Sequence, residues 1–212
     1  MSRGDGANKL PKLVLAGIDQ AFKEYQRLTG GEWLYAAPEY LTTVEVAKKV
    51  HSGLDHVRVD LERNVKKALD GARAKRKGRA PGKLRSNGRF DILLYRKNES
   101  PWCAIEIKTG VWTAKALKSD IERLEKVLGY RGSGATLRCG AIGFYADRKD
   151  GKKLSAEQSL EKLWLNVKGL ADQCLSGKSL KFKLHRSKFR SGDENDGRQA
   201  FCLLIEATKP RK

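Results

Sequence analysis

The stretch Gly88-Arg89-Phe90-Asp91-Ile92-Leu93-Leu94-Tyr95-Arg96-Lys97-Asn98-Glu99-Ser100-Pro101-Trp102-Cys103-Ala104-Ile105-Glu106-Ile107-Lys108 decides the reading of this chain. Two short apolar runs, Phe90 to Tyr95 and Trp102 to Lys108, flank a polar hexapeptide, the pattern of a β-hairpin with a longer loop. If Tyr95 lies opposite Trp102, then Leu93 faces Ala104 and Asp91 faces Glu106. Directly opposed residues on one face have Cβ atoms roughly 4.5–5.5 Å apart. Lys108, two residues beyond Glu106, projects from the same face. Asp91, Glu106 and Lys108 therefore converge at one end of an otherwise apolar hairpin. A one-residue slip in register would separate them.

Two carboxylates that close repel one another, and burial raises the cost. A hard divalent cation with oxygen ligands relieves the conflict and keeps waters for chemistry. A lysine beside it could stabilise developing charge or position a water nucleophile. The plainer alternative is an acid–lysine pair on a solvated strand face, and spacing alone does not choose between the two.

Outward from the hairpin, periodicity predicts a helix over Leu10 to Leu28 and a second from Pro38 to Val50. A half-buried strand follows from His56 to Glu62, with Val57, Val59 and Leu61 on one face. Beyond the hairpin come a helix over Thr113 to Leu128, a buried strand from Leu137 to Tyr145 and an amphipathic helix from Ser155 to Leu175. Strands over Leu180 to His185 and Gln199 to Glu206 close the order. The sum is one mixed α/β domain over residues 10–212, with residues 1–9 a frayed tail.

Composition bounds the partners. The 212 residues hold 44 Lys plus Arg against 25 Asp plus Glu, a formal charge of +19. A field of that size points to a polyanion, most often nucleic acid. No apolar run approaches the ~18 residues of a membrane span, and Met1 to Leu10 lacks the core of a secretory signal, so a cytoplasmic location without membrane contact is expected. The four cysteines form no zinc-finger spacing and read as buried, reduced thiols.

Gly88-Arg89-Phe90-Asp91-Ile92-Leu93-Leu94, followed by Ala104-Ile105-Glu106-Ile107-Lys108-Thr109-Gly110, resembles the D…(D/E)-x-K core of the PD-(D/E)XK nuclease superfamily. Residues 37–145, about half the chain, supply helix, three-stranded meander, helix and strand in that superfamily's order. Lys118-Ser119-Asp120-Ile121-Glu122-Arg123-Leu124 resembles the helix that follows the motif in many members. The resemblance implies a restriction-endonuclease-like mixed central sheet flanked by helices, with an N-terminal helix and a C-terminal helix plus strands added. It further implies Mg²⁺-dependent hydrolysis of nucleic-acid phosphodiesters, with Mn²⁺ a substitute and DNA the expected substrate. On the matching positions Asp91 and Glu106 would hold metal with the Ile107 carbonyl, and Lys108 would orient or activate water. Glu39, in the preceding helix, is the first candidate for a further carboxylate and Glu45 the second. The proline of the motif is missing, since Phe90 precedes Asp91. Two rival readings remain: a catalytically silent nucleic-acid-binding protein on the same fold, and a basic RNA- or ribosome-associated protein whose hairpin match is coincidental. A homodimer would suit double-strand cleavage, but no assembly signal is visible.

The charge is not spread evenly. From Arg63 to Arg89 eleven basic residues meet one acid, Asp70, a net +10 within 27 residues. Glycines and Pro81 make its second half a loop leading into the strand of Asp91. Lys75, Arg76, Lys77, Arg79, Lys83, Arg85 and Arg89 are candidates for phosphate contacts, which carry affinity without sequence readout. A second basic cluster, Lys178 to Arg190, interleaves Phe182 and Phe189. Ser176-Gly177-Lys178-Ser179 lacks the earlier glycine of a phosphate-binding loop, Asp172 standing there. Replacing Lys75, Arg76, Lys77 and Arg79 by Ala should weaken DNA binding on every sequence. In a salt titration followed by anisotropy, the slope of log K against log salt should flatten by about one unit for each phosphate that is no longer neutralised. An unchanged slope would return the loop to the role of a solvated surface.

Overall fold

The computed structural model describes residues 5–74, 87–129, 134–192 and 196–208. Helix α1 (Asp5–Thr29) is followed by a short 3₁₀ turn (Leu34–Ala36), α2 (Glu39–Gly53), β1 (Arg58–Asn64) and α3 (Val65–Gly71). The hairpin strands β2 (Arg89–Tyr95) and β3 (Pro101–Lys108) lead through a second 3₁₀ turn (Ala114–Leu117) into α4 (Lys118–Gly129). Then come β4 (Cys139–Lys149), α5 (Ala156–Leu175), β5 (Leu180–Arg186), the two-residue β6 (Arg190–Ser191) and β7 (Asp196–Ala207). The strands form one mixed, mostly antiparallel open sheet in the order β1-β2-β3-β4-β7-β5, with β6 paired to β7. β3 and β4 run parallel, as their α4 crossover requires.

Helices cover both faces of this sheet. On one face α1 and α2 bury Val14, Ile18, Phe22, Val46 and Val50 against Ile92, Leu94, Ile105, Ile107 and Leu204. On the other, α3, α4 and α5 bury Leu69, Ile121, Leu124, Leu160 and Val167 against Leu93, Ala104, Ile142, Phe144 and Phe201. Alternate residues of each strand feed opposite cores, so β3, the strand flanked by β2 and β4, is buried on both sides down to Ile107. α5 opens with the capping box formed by Ser155 and Gln158. Among the described residues no helix is long and apolar enough to cross a membrane.

Several expectations needed adjustment. α1 begins at Asp5, so residues 5–9 are helix and not tail; Leu10 is already fully buried. The basic stretch after β1 starts with α3, whose Val65, Ala68 and Leu69 form a short buried stripe among lysines, and whose N-terminus is capped by the Asn64 side chain accepting from Lys67 N–H. In the hairpin, Leu93 pairs with Ala104 as the register predicted, but Tyr95 pairs with Pro101, not with Trp102. A bulge between Leu94 and Tyr95 absorbs the difference, which lets Pro101, with no N–H to give, end the strand. The candidate phosphate-binding residues Lys75, Arg76, Lys77, Arg79, Lys83 and Arg85 lie outside the described residues.

α1 crosses α2 closely because Gly17 has no side chain. A Cβ there would stand 2.4 Å from the Val46 Cα, a backbone atom that cannot swing aside. Gly17→Ala would gain about 1 kcal/mol of helix propensity, but overpacking a tight contact costs about 1–3 kcal/mol and should win. Urea denaturation followed by circular dichroism should show the variant less stable; equal or greater stability would mean that α1 sits more loosely than this crossing implies.

Candidate functional site

The last ladder pair of the hairpin on the side away from the loop is Ile92–Ile105. Extended by two residues, that register would join Phe90 to Ile107. Instead the Asp91 carboxylate replaces the backbone partner: its Oδ2 accepts from Ile107 N–H at 2.7 Å. In a strand the N–H and C=O of one residue point the same way, so the Ile107 carbonyl is also directed toward Asp91. Among the described residues, Asp91 Oδ1 has no protein hydrogen bond. On the far side of Asp91, Glu62 interrupts β1 with a left-handed backbone, φ 52°. Such conformations are strained for a residue with a side chain and collect at functional sites.

Lys108 extends from the end of β3, where one helix meets it. Its Nζ is 3.1 Å from Glu39 Oε1 at the first turn of α2, and the second Glu39 oxygen accepts from Thr109 N–H at 3.4 Å. Burial acts to lower the Lys108 pKa, but the carboxylates of Glu39, Asp120 and Asp91 outweigh it and hold the pKa above its ordinary value. Lys108 is therefore a cation, suited to stabilising negative charge or orienting a water rather than to accepting a proton. Asp91 is displaced toward its neutral form: burial raises its pKa, and the Ile107 hydrogen bond and Lys108 only partly compensate.

Glu106 is almost fully buried, 2% exposed, on the face toward α4. There it forms an ion pair with the Arg123 guanidinium, which also donates to the Arg89 carbonyl and lies over the Phe90 ring. Asp91, Lys108 and Glu39 are thus brought together, whereas the Glu106 carboxylate is engaged by Arg123. Glu45, the second candidate, is not part of the group; it pairs along α2 with Lys48 at 2.6 Å. Arg89 is exposed at the start of β2, two residues before Asp91.

Sequence reasoning missed Glu62, Asp120 and Arg123. Asp120 and Arg123 had a visible signal, three residues apart beside the apolar stripe of Leu117, Ile121 and Leu124, where a solvated helix would carry no buried charge. Glu62 had none, since its importance lies in a backbone angle.

Among the described residues no cluster of three or more His, Cys, Asp or Glu side chains could hold a metal ion. Asp91 Oδ1 and the Ile107 carbonyl, which strand geometry directs to the Asp91 side, are hard donors of the kind Mg²⁺ takes, and Mg²⁺ commonly uses one or two carboxylates and completes its shell with water and phosphate. Glu106 could join them only by giving up Arg123. No family model, curated protein or solved structure matches this chain.

A raised carboxylate pKa means that the charged form is disfavoured by folding. The native state then holds more proton than the unfolded chain between the ordinary pKa and the raised one, and stability falls as pH climbs through that window. Asp91→Asn keeps an oxygen to accept from Ile107 N–H and removes the desolvated charge. At neutral pH its thermal midpoint should equal or exceed that of the wild type in differential scanning calorimetry. A clear drop would mean that the charge of Asp91 serves the fold.

Proposed function

We propose that the chain is a metal-dependent nuclease of the PD-(D/E)XK type that hydrolyses DNA phosphodiester bonds. The observation that carries the reading is the convergence of Asp91, Lys108 and Glu39, contributed by β2, β3 and α2, around the open end of the hairpin. It is supported by the element order α2, β1, β2, β3, α4, β4, which interposes only the short α3 in the expected helix–meander–helix–strand core. The fully protonated Lys108 and the charge of +19 suit a phosphate substrate.

In this reading Asp91 and the Ile107 carbonyl would hold Mg²⁺, with Glu106 as a further carboxylate if it left Arg123; the metal would supply Lewis-acid stabilisation of phosphoryl oxygens and an acidified water. Lys108 places its ammonium beside the attacked phosphate and opposes the charge that builds on it in the transition state. Glu39 orients Lys108 through the 3.1 Å contact and fixes the turn after β3 through Thr109 N–H. Arg89 and the basic segment before it hold the nucleic-acid backbone.

One observation favours a second reading. Buried pairs such as Glu106–Arg123 are costly to break, about 3–5 kcal/mol when one partner is removed, so a site locked in that pair would leave a nucleic-acid-binding protein without catalysis. Plasmid nicking separates the two. With Mg²⁺ the wild type should nick supercoiled plasmid or cut single-stranded DNA, while Asp91→Ala and Lys108→Ala should lose about 100-fold or more of that rate, in the range for one electrostatic or acid–base group. Cleavage surviving in both variants would sink the site. Absence of cleavage on any DNA form, with salt-sensitive binding retained, would support the silent binder.

A further inference from the structure

Three aromatic side chains are strongly exposed among the described residues: Tyr35 at 46%, Tyr40 at 53% and Trp112 at 58%. All three lie within four residues, along the chain, of Glu39 or Lys108. The other exposed large hydrophobic side chains among the described residues, Leu28, Leu154 and Leu165, are aliphatic and lie elsewhere in the sequence. Scattered exposed leucines need no explanation, whereas aromatic rings gathered beside a charged cluster do.

Two of these rings are mounted rigidly. Tyr35 and Trp112 meet edge to face, with centroids 5.9 Å apart and planes at 90°. Gly110 lies under them at φ 63°, where a Cβ would come within 3.2 Å of Tyr35 Cβ and 3.3 Å of Trp112 Nε1. The backbone on either side is pinned: Val111 N–H donates to the Tyr145 carbonyl at 3.0 Å, and Arg148 donates to the Trp112 carbonyl at 2.7 Å. Leu34, the neighbour of Tyr35, is fully buried. The rings are therefore held out to water by a fixed frame and are not loop ends left loose by chance.

Flat, exposed, pre-ordered rings recognise other flat rings, and every nucleobase has such a face. In a duplex those faces are covered by neighbouring base pairs, so only an unpaired strand can offer them. The platform also has the right reach. Trp112 is four residues from Lys108, at most about 14 Å of chain. A base stacked on Trp112 and a phosphate at Lys108 would thus belong to nearby nucleotides of one strand. Arg148, behind the platform, and the exposed Lys115 beyond it add positive charge for the backbone between them.

We propose that Tyr35 and Trp112 form a base-stacking platform that selects an unpaired DNA strand as the substrate of this site, an inference that rests on the nuclease reading for the chemistry but not for the binding. Anisotropy of a fluorescein-labelled oligothymidylate, and of a blunt duplex, measured on the full chain in chelator, tests binding without cleavage. Trp112→Ala should weaken single-strand binding about tenfold and leave the duplex affinity unchanged, and Trp112→Phe, which keeps an aromatic face, should restore most of the loss. A far-ultraviolet spectrum and melting midpoint unchanged in Trp112→Ala exclude misfolding, and Tyr35→Ala provides an independent second variant. Equal losses on both DNA forms, no loss on the single strand, or loss of a self-associated species in sedimentation instead would overturn the platform. Adding Mg²⁺ to the same proteins separates the two claims. A stacking-dependent affinity without strand cleavage keeps the platform and defeats the nuclease reading; cleavage that needs Asp91 but is indifferent to Trp112 does the reverse.

Discussion

A carboxylate at the end of a strand buried on both faces is the constraint around which this molecule is arranged. Glu106 is 2% exposed, and an unpaired charge at such depth would cost several kcal/mol. Arg123 meets it from α4 and, with its remaining donors, takes the Arg89 carbonyl at the start of β2. One guanidinium thus joins the crossover helix to two neighbouring strands. The same contact fixes how α4 lies over the sheet, and hence where Asp120 stands relative to Lys108.

The opening of the hairpin next to this pair follows from a competition for one N–H. Ile107 could extend the ladder toward Phe90, but its N–H donates to the Asp91 carboxylate instead. The β2–β3 ladder stops there, and the Ile107 carbonyl is left on the side of Asp91. Glu62, with its left-handed backbone, interrupts the β1–β2 ladder at the same level, and the ladder resumes at Arg63–Phe90. Two neighbouring ladders therefore break at one level, while the cores above and below remain closely packed. Local irregularity supported by a rigid surround is how a fold holds polar groups open for a ligand.

Much of the fold was legible. The β2–β3 register through Leu93–Ala104 followed from closing the polar hexapeptide as a loop, although the closing pair itself, Tyr95 with Trp102, is displaced by a bulge. α5 announced itself by Ser155 and a long apolar stripe. The failures are equally physical. α3 was hidden because it spans only seven residues and its three buried positions sit beside Lys66, Lys67 and Asp70 at the start of a strongly basic stretch. The turn at Tyr95–Pro101 depended on a bulge, which adds a residue without changing composition. Glu39 and Glu45 could not be separated by helix periodicity, which says nothing of where the first turn of α2 ends up relative to β3.

Residue composition and order already make the chain strongly basic, make a hairpin of two apolar runs around a polar hexapeptide with Asp91, Glu106 and Lys108 at one end, and require helices to cover the resulting sheet. These are consequences of charge count and of side-chain period, and neither requires knowledge of distant contacts. Only the tertiary structure decided which carboxylate Lys108 meets, that Arg123 claims Glu106, and that Tyr35 and Trp112, far apart in the chain, close over Gly110. Each of those is a pairing between separate elements. Such pairings follow from how helices seat on the sheet, through close approaches such as Gly17 on Val46, and local pattern does not encode them.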